Sequence, residues 1–150
     1  AMMQDDVETI AAATDMLAEA KLTPELRNEA LYFRAKAYLN QQADKKAMND
    51  LQALAKDTRT LYGAEAKYLV ALQLYKAHEY AAAEKEILNF IEQSTPHAYW
   101  LARSFILLSD VYVAMDKKLD ARQYLLSLQQ NYHADDDIEQ MINERLEKLK

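Results

Sequence analysis

Residues Ala64 to Ala83 read AEAKYLVALQLYKAHEYAAA, and they carry the clearest structural pattern in the chain. The apolar residues of this stretch recur at three- and four-residue steps, which is the period of a helix and not of a strand. The pattern pauses near His78 and resumes in a run of alanines, so it predicts two helices with a short turn between them. Because the connection is short, the two helices should form an antiparallel hairpin.

The pattern of this stretch returns on both sides of it. Five columns of chemically similar residues are related by the same two steps, 36 residues (47 to 83) and 38 residues (83 to 121). Antiparallel helices approach closest where side chains are small, and the larger apolar columns are expected to bury against the next hairpin. Self-similarity at this period indicates a helical solenoid. The columns are Ala35, Ala71 and Ser109; Tyr38, Leu74 and Tyr112; Ala47, Ala83 and Ala121; Leu51, Ile87 and Leu125; and Leu54, Phe90 and Leu128.

Glycine and proline are rare in the 150 residues, which include one Gly, two Pro and no Cys. β-Sandwiches, Rossmann sheets and P-loops depend on glycine at turns, and Gly63 alone cannot supply them. The abundant residues Ala, Leu, Lys, Glu and Gln are strong helix formers. We therefore expect an all-α protein of about eight helices. The predicted segments are residues 5–21, 24–40, 43–57, 64–77, 80–93, 95–115, 118–132 and 135–150.

Short capping motifs set several of these boundaries. Thr23-Pro24 and Thr95-Pro96 each combine an N-cap residue with a proline at the first helical position. Three consecutive aspartates, Asp135 to Asp137, are expected to open the last helix because acidic side chains favour helix N-termini. Residues 58–63 are predicted to form the longest loop.

Residues 64–83 resemble a tetratricopeptide repeat (TPR), whose pattern is an aromatic, a small residue, a tyrosine, a turn, an alanine and an aromatic. Residues 28–57 and 102–132 resemble two further copies, with Leu31, Lys67 and Phe105 at the family's tryptophan position. These resemble the divergent repeats of large bacterial TPR proteins. The resemblance implies a right-handed α-solenoid in one domain, with a half-repeat at 5–21, hairpins at 24–57, 63–94 and 96–132, and a capping helix at 135–150.

The two outer segments fit this scheme. Ala13, Leu17 and Ala20 lie 34 residues before Ala47, Leu51 and Leu54, so residues 5–21 are expected to be the second half of an upstream repeat. The last segment places its apolar residues on one face and charges elsewhere, as a capping helix would. Those apolar residues are Ile138, Met141, Ile142, Leu146 and Leu149.

By the same resemblance, the first helix of each hairpin lines a concave groove. Stepping by three and four residues selects Tyr32, Lys36, Tyr68, Leu72, Tyr75, Arg103 and Asp110. Tyrosine, arginine and aliphatic side chains together are typical of protein interfaces. The predicted function is a non-catalytic scaffold that binds a peptide or protein segment here, with the charged residues setting its orientation. The alternative is that these side chains pack against neighbouring helices or face water.

Charge and hydropathy exclude other partners. The 18 basic residues are scattered among 24 acidic ones, for a formal net charge of −6. Nucleic-acid binders usually carry a basic stripe, so we expect no nucleic-acid partner. No apolar run approaches the roughly 18 to 20 residues that span a bilayer, so no direct membrane insertion is expected.

Catalytic and metal-binding signatures are missing from the sequence. The three histidines, His78, His97 and His133, fall at predicted helix boundaries in different repeats and lack the spacing of metal ligands. No serine lies in a nucleophile-elbow context. We expect no catalytic residue, no cofactor and no metal site; an active region upstream of this chain would be the exception.

A second hypothesis is structural. The chain would extend a longer solenoid, or self-associate through an apolar N-terminal end formed by Met2, Met3, Val7, Ile10 and Met16. Localisation is open from the residues, although the resemblance to large bacterial TPR proteins favours the cell envelope or periplasm over the cytoplasm.

Overall fold

The computed structural model describes residues 2–19 and 21–150, and these residues form eight helices and no strand. The expected all-α class is therefore confirmed. The helices are α1 (Met2–Leu17), α2 (Pro24–Asn40), α3 (Asp44–Leu54), α4 (Leu61–Lys76), α5 (Tyr80–Glu92), α6 (Ala98–Ala114), α7 (Lys118–Asn131) and α8 (Ile138–Lys148).

Three turns, α2–α3, α4–α5 and α6–α7, have the same geometry. Each contains one residue in the left-handed region: Gln42 (φ 60°), His78 (φ 63°) or Asp116 (φ 61°). In each turn, the next amide N–H donates to the carbonyl oxygen five residues earlier, which is the Schellman arrangement. These three residues are separated by the 36- and 38-residue steps of the sequence columns. The turn geometry therefore recurs at the period of the sequence columns.

The columns that define the repeat also form the core. Four of the five columns are buried at all three positions. They are the columns that begin at Ala35, Ala47, Leu51 and Leu54. Ser109 fits this environment because its hydroxyl donates to the carbonyl oxygen of Ile106 at 2.7 Å. In the first helix Ala13 is buried as its register predicts, whereas the predicted position at Ala20 lies outside the described residues.

The chain divides into two compact units, residues 1–70 and 71–150, with the division inside α4. In the first unit, α2 packs against both α1 and α3. Arg34 connects these three helices: its Nε and Nη2 donate to Asp50 at 2.8 and 2.6 Å, and its Nη1 donates to Thr14 at 3.1 Å. Asp50 is buried, so this pair satisfies a carboxylate that would otherwise be costly to bury.

In the second unit, α6 packs against α5 and α7, and α8 packs against α6 and α7. One apolar cluster joins α6, α7 and α8, and Ile138 and Ile142 contribute the buried side chains of α8. Met141, Leu146 and Leu149 are half-buried against the same cluster. The apolar face predicted for the last helix is therefore confirmed.

The loop predicted at residues 58–63 is shorter in the structure, because α4 already begins at Leu61. A local hydrogen-bond relay closes the connection: Gly63 N–H donates to Thr60 Oγ1 at 2.9 Å, and that hydroxyl donates to the Asp57 carbonyl oxygen at 3.0 Å. Gly63 consequently lies in the first turn of α4 and not in a loop.

Helix starts were predicted with mixed success. Thr23 caps α2 as expected, since its Oγ1 accepts from Leu26 N–H at 3.2 Å. Thr95 does not cap α6, which begins three residues later, because Thr95 Oγ1 accepts instead from His97 N–H at 3.2 Å. The last helix begins at Ile138 and not at residue 135, and α1 covers Met2–Leu17 in place of 5–21.

No helix within the described part of the chain has the length and apolar character that crossing a membrane requires.

Candidate functional site

The predicted groove residues fall in both units. The first unit holds Tyr32, Lys36 and Tyr68, and the second holds Leu72, Tyr75, Arg103 and Asp110. The two sets are described one after the other.

In the first unit, Tyr32 and Lys36 on α2 converge on Glu65 of α4. The Tyr32 hydroxyl donates to the two carboxylate oxygens at 3.1 Å each, and Lys36 Nζ lies 3.2 Å from Oε2. Lys36 Nζ also lies 5.7 Å from the centre of the Tyr32 ring. Glu65 is buried, and its carboxylate is satisfied by the hydrogen bonds from Tyr32 and by the ion pair with Lys36, two residues of the predicted groove.

Tyr32 is held in its neutral form by this environment. Burial raises the pKa of Tyr32 to about 12, and the nearby negative charge and the hydrogen bond of Glu65 add to the effect. Near neutral pH the hydroxyl is therefore a fixed hydrogen-bond donor and not an acid or base.

An aromatic cluster surrounds the Tyr32 ring. Tyr62 stacks on it with ring centres 4.4 Å apart, and Phe33 meets it edge-on at 5.5 Å. We call Tyr32, Phe33 and Tyr62 the α2 aromatic cluster. Phe33 is 48% exposed, and Leu61, the neighbour of Tyr62 in the chain, is 54% exposed. The cluster therefore presents apolar surface to solvent.

Sequence reasoning missed two members of this cluster. Phe33 could have been found, since Leu26 and Phe33 are seven residues apart and so lie on one face of α2. Tyr62 offered no such signal, because its contact with Tyr32 depends on how α4 packs against α2.

Tyr68 differs from the other predicted groove tyrosines in its burial. It is only 6% exposed, so little of its ring is left to contact a partner. Leu72 in the second unit is half-buried.

In the second unit, Asp110 is bound by a residue that the sequence did not identify. Arg145 on α8 donates from Nε and Nη2 to the two Asp110 carboxylate oxygens at 2.8 and 3.0 Å, a bidentate pair. Its Nη1 donates to the carbonyl oxygen of Met141 at 3.2 Å. The charge of Asp110 is therefore compensated by α8.

A pocket of about 530 Å³ opens beside this ion pair. Tyr75 and Val113 supply aromatic and aliphatic walls, while Lys118 and Lys148 add positive charge and Glu144 adds negative charge. The pKa of Tyr75 is raised, first by burial and then by the negative charge of Asp110. The pocket thus brings together two predicted groove residues, Tyr75 and Asp110, under the last turns of α8.

Arg103, the remaining predicted residue, connects the beginnings of α6 and α8. Its Nη1 donates to the Tyr99 hydroxyl at 3.1 Å and lies 3.5 Å from Asp137 Oδ2. The Tyr99 hydroxyl in turn donates to Asp137 Oδ1 at 2.9 Å. The three residues form a small network that fixes the start of α8 against α6.

The histidines take part in local contacts near helix ends. His78 Nδ1 lies 2.7 Å from the Tyr80 hydroxyl, and His133 Nε2 lies 2.9 Å from the carbonyl oxygen of Gln130. His97 precedes α6 as its N-cap. Within residues 2–19 and 21–150, no three His, Cys, Asp or Glu side chains are grouped so that they could hold a metal ion.

Comparisons of the chain with protein-family models, with curated proteins and with solved structures find no match.

Proposed function

We propose that this chain is a non-catalytic TPR-type scaffold, a right-handed α-solenoid that binds a peptide or protein segment. Two observations support the repeat: the three Schellman turns at 36- and 38-residue steps, and the buried columns of small and apolar residues in the same register. A single hairpin cannot bury its apolar face alone, and stacking of such hairpins produces the extended surfaces on which repeat proteins bind their partners.

The observation that carries the binding function is the α2 aromatic cluster. Its members pack against one another and still leave Phe33 about half exposed. Aromatic side chains held rigidly at a surface contribute large contact areas at small entropic cost, which is why they dominate the binding energy of interfaces.

The charged groove residues have a different role in this proposal. Lys36, Arg103 and Asp110 each form an ion pair within the chain, with Glu65, Asp137 and Arg145 respectively. We assign these pairs to holding the surfaces in shape, because a charge already paired inside the protein has less to gain from a partner.

The test is a pull-down from native lysate with three forms of the full chain: wild type, a Phe33→Ala, Tyr62→Ala variant, and a Leu119→Ala control. Leu119 is 83% exposed and belongs to the second unit, so its removal matches the loss of exposed apolar area. Tyr68 is left unchanged because truncating a buried ring would destabilise the fold. Circular dichroism checks that each variant is folded.

We expect a prey protein that wild type and control retain and the double variant loses. With the purified prey, affinity should fall at least tenfold, since anchor residues typically contribute about 1–2 kcal/mol or more each. Retention of the same prey by all three forms, or of none by any, would contradict the proposal.

One observation favours the structural alternative, self-association through α1: Val7 is 53% exposed on this helix. Ile10 and Met16 are half-buried, whereas the side chains of Met2 and Met3 lie outside the described part of the chain. Light scattering across a wide concentration range tests it, and a strict monomer throughout would exclude it.

A further inference from the structure

We propose that the exposed face of α2 binds an extended, basic partner segment in which an apolar anchor is followed, or preceded, by Lys or Arg at the second and fourth positions from it. This inference rests on the proposed function and specifies the chemistry of the partner at the α2 aromatic cluster.

The exposed face of α2 carries a ridge of three residues at four-residue steps. Glu25, Glu29 and Phe33 are all exposed, and residues four apart on a helix are neighbours along one side. With a rise of 1.5 Å per residue, successive members of the ridge lie about 6 Å apart. The carboxylates of Glu29 and Glu25 therefore lie at about 6 and 12 Å from Phe33 along the ridge.

The apolar end of the ridge is the stronger contact. Phe33 is supported edge-on by Tyr32, which is itself stacked on Tyr62 and hydrogen-bonded to Glu65. A ring held in this way loses little side-chain entropy when a partner covers it. The anchor of the partner should accordingly be apolar, because the exposed part of Phe33 offers no hydrogen-bonding group.

The charges of the ridge select a basic partner. Lys36, about one turn beyond Phe33, is already paired with Glu65, and Arg34 is paired with Asp50. These two cations are therefore compensated within the chain, while Glu25 and Glu29 present carboxylates at the surface. The third cation of α2, Arg27, is exposed but lies two residues from each glutamate, so it does not share their side of the helix. The net charge of −6 adds a longer-range attraction for cationic segments.

The spacing of the ridge matches an extended peptide. A β-strand rises about 3.3 Å per residue and alternate side chains point the same way, so its residues i, i+2 and i+4 lie about 6.6 Å apart on one side. An apolar residue placed on Phe33 would then bring the second and fourth residues beyond it to Glu29 and Glu25. The expected motif is apolar–x–Lys/Arg–x–Lys/Arg, read in either chain direction.

The experiment is selection from a phage-displayed library of random 12-residue peptides on the full wild-type chain, followed by fluorescence anisotropy with the enriched peptides. Phe33→Ala and Glu29→Lys test the two ends of the ridge. Leu119→Ala and Asp120→Lys are matched controls, since Leu119 and Asp120 form an exposed apolar and acidic pair on α7. All four positions are exposed, so these variants should fold, which circular dichroism verifies.

We expect enriched peptides with the motif, at least tenfold weaker binding to Phe33→Ala and to Glu29→Lys, and affinities within twofold of wild type for both controls. Binding should also weaken as salt is raised from 50 to 500 mM, because the carboxylate contacts are exposed. Enriched peptides that need Phe33 but lack basic residues would overturn this inference and leave the proposed function standing. No enrichment, or binding indifferent to Phe33→Ala, would overturn both.

Discussion

At the scale of single residues, Gly63 shows how space can require a glycine where backbone conformation does not. No glycine in the described residues has a positive φ. A Cβ at residue 63 would collide with the carbonyl oxygen of Asp57 and lie 2.8 Å from that of Leu54. The first turn of α4 therefore approaches the end of α3 at a distance that only a residue without a side chain allows.

The sign of the stability change on Gly63→Ala tests this reading. At a helical position with free space around it, replacing glycine by alanine would stabilise the protein by about 1 kcal/mol. The collision with backbone oxygens should instead lower the free energy of unfolding by about 1–3 kcal/mol, as overpacking does. Urea denaturation measures the change, and an unchanged m-value would show that wild type and variant expose the same surface on unfolding. A stabilised variant would show that α4 can shift freely away from α3.

The sequence could predict individual residues of the candidate site, but it could not predict which residues they contact. Helical stepping selected Lys36 and Asp110 as groove positions, and both are half-buried and paired within the chain. Their partners, Glu65 and Arg145, lie 29 and 35 residues further along the chain. No local spacing rule connects residues so far apart, because their pairing depends on which helix faces reach each other after packing.

At the scale of helices and turns, the left-handed positions explain how hairpins form with so little glycine. Gln42, His78 and Asp116 take the place that glycine usually fills at the C′ position of a Schellman turn. The left-handed conformation is unfavourable by about 1 kcal/mol or more for a residue with a Cβ. The tight turn persists because the amide N–H after each residue bonds the carbonyl five residues back, and because the buried columns on either side hold the helices together.

Two adjacent glutamines allow a matched test of this cost. Gln42→Gly should raise the free energy of unfolding by up to about 1 kcal/mol, because glycine relieves the left-handed strain. Gln41→Gly should lower the free energy of unfolding by about 0.5–1 kcal/mol. Residue 41 has an ordinary φ of −89°, so glycine relieves no strain there and only increases the backbone entropy of the unfolded chain. Thermal and urea unfolding of both variants decide the matter. Shifts in the same direction for the two would contradict the assignment of strain to residue 42.

Helix starts mark the limit of sequence prediction at this scale. Thr23-Pro24 and Thr95-Pro96 have the same two residue types, yet only Thr23 caps its helix. The Thr95 hydroxyl bonds an amide two residues on, and Thr23 bonds one three residues on. Each hydroxyl accepts from a nearby amide, so the dipeptide alone does not determine whether a local turn or a helix cap forms; the surrounding residues do.

At the scale of the whole molecule, the proposed repeat array predicts how the chain unfolds. A single globular core loses protection everywhere when one core residue is truncated, because its parts unfold together. A repeat array behaves as a sum of local stabilities and nearest-neighbour terms, so damage stays close to the altered repeat. Leu51 on α3 and Leu125 on α7 are fully buried members of one sequence column. They offer the same substitution at equivalent positions in two different repeats.

Each leucine-to-alanine change should cost about 2–5 kcal/mol locally. Hydrogen exchange read by mass spectrometry should show Leu51→Ala reducing the protection of α2 and α3 while α6 to α8 keep theirs, and Leu125→Ala doing the reverse. The comparison is internally controlled, since each variant serves as the reference for the other. Equal loss of protection along the entire chain in both variants would mean one cooperative core, and the sequence period would then describe local hairpins without a modular array.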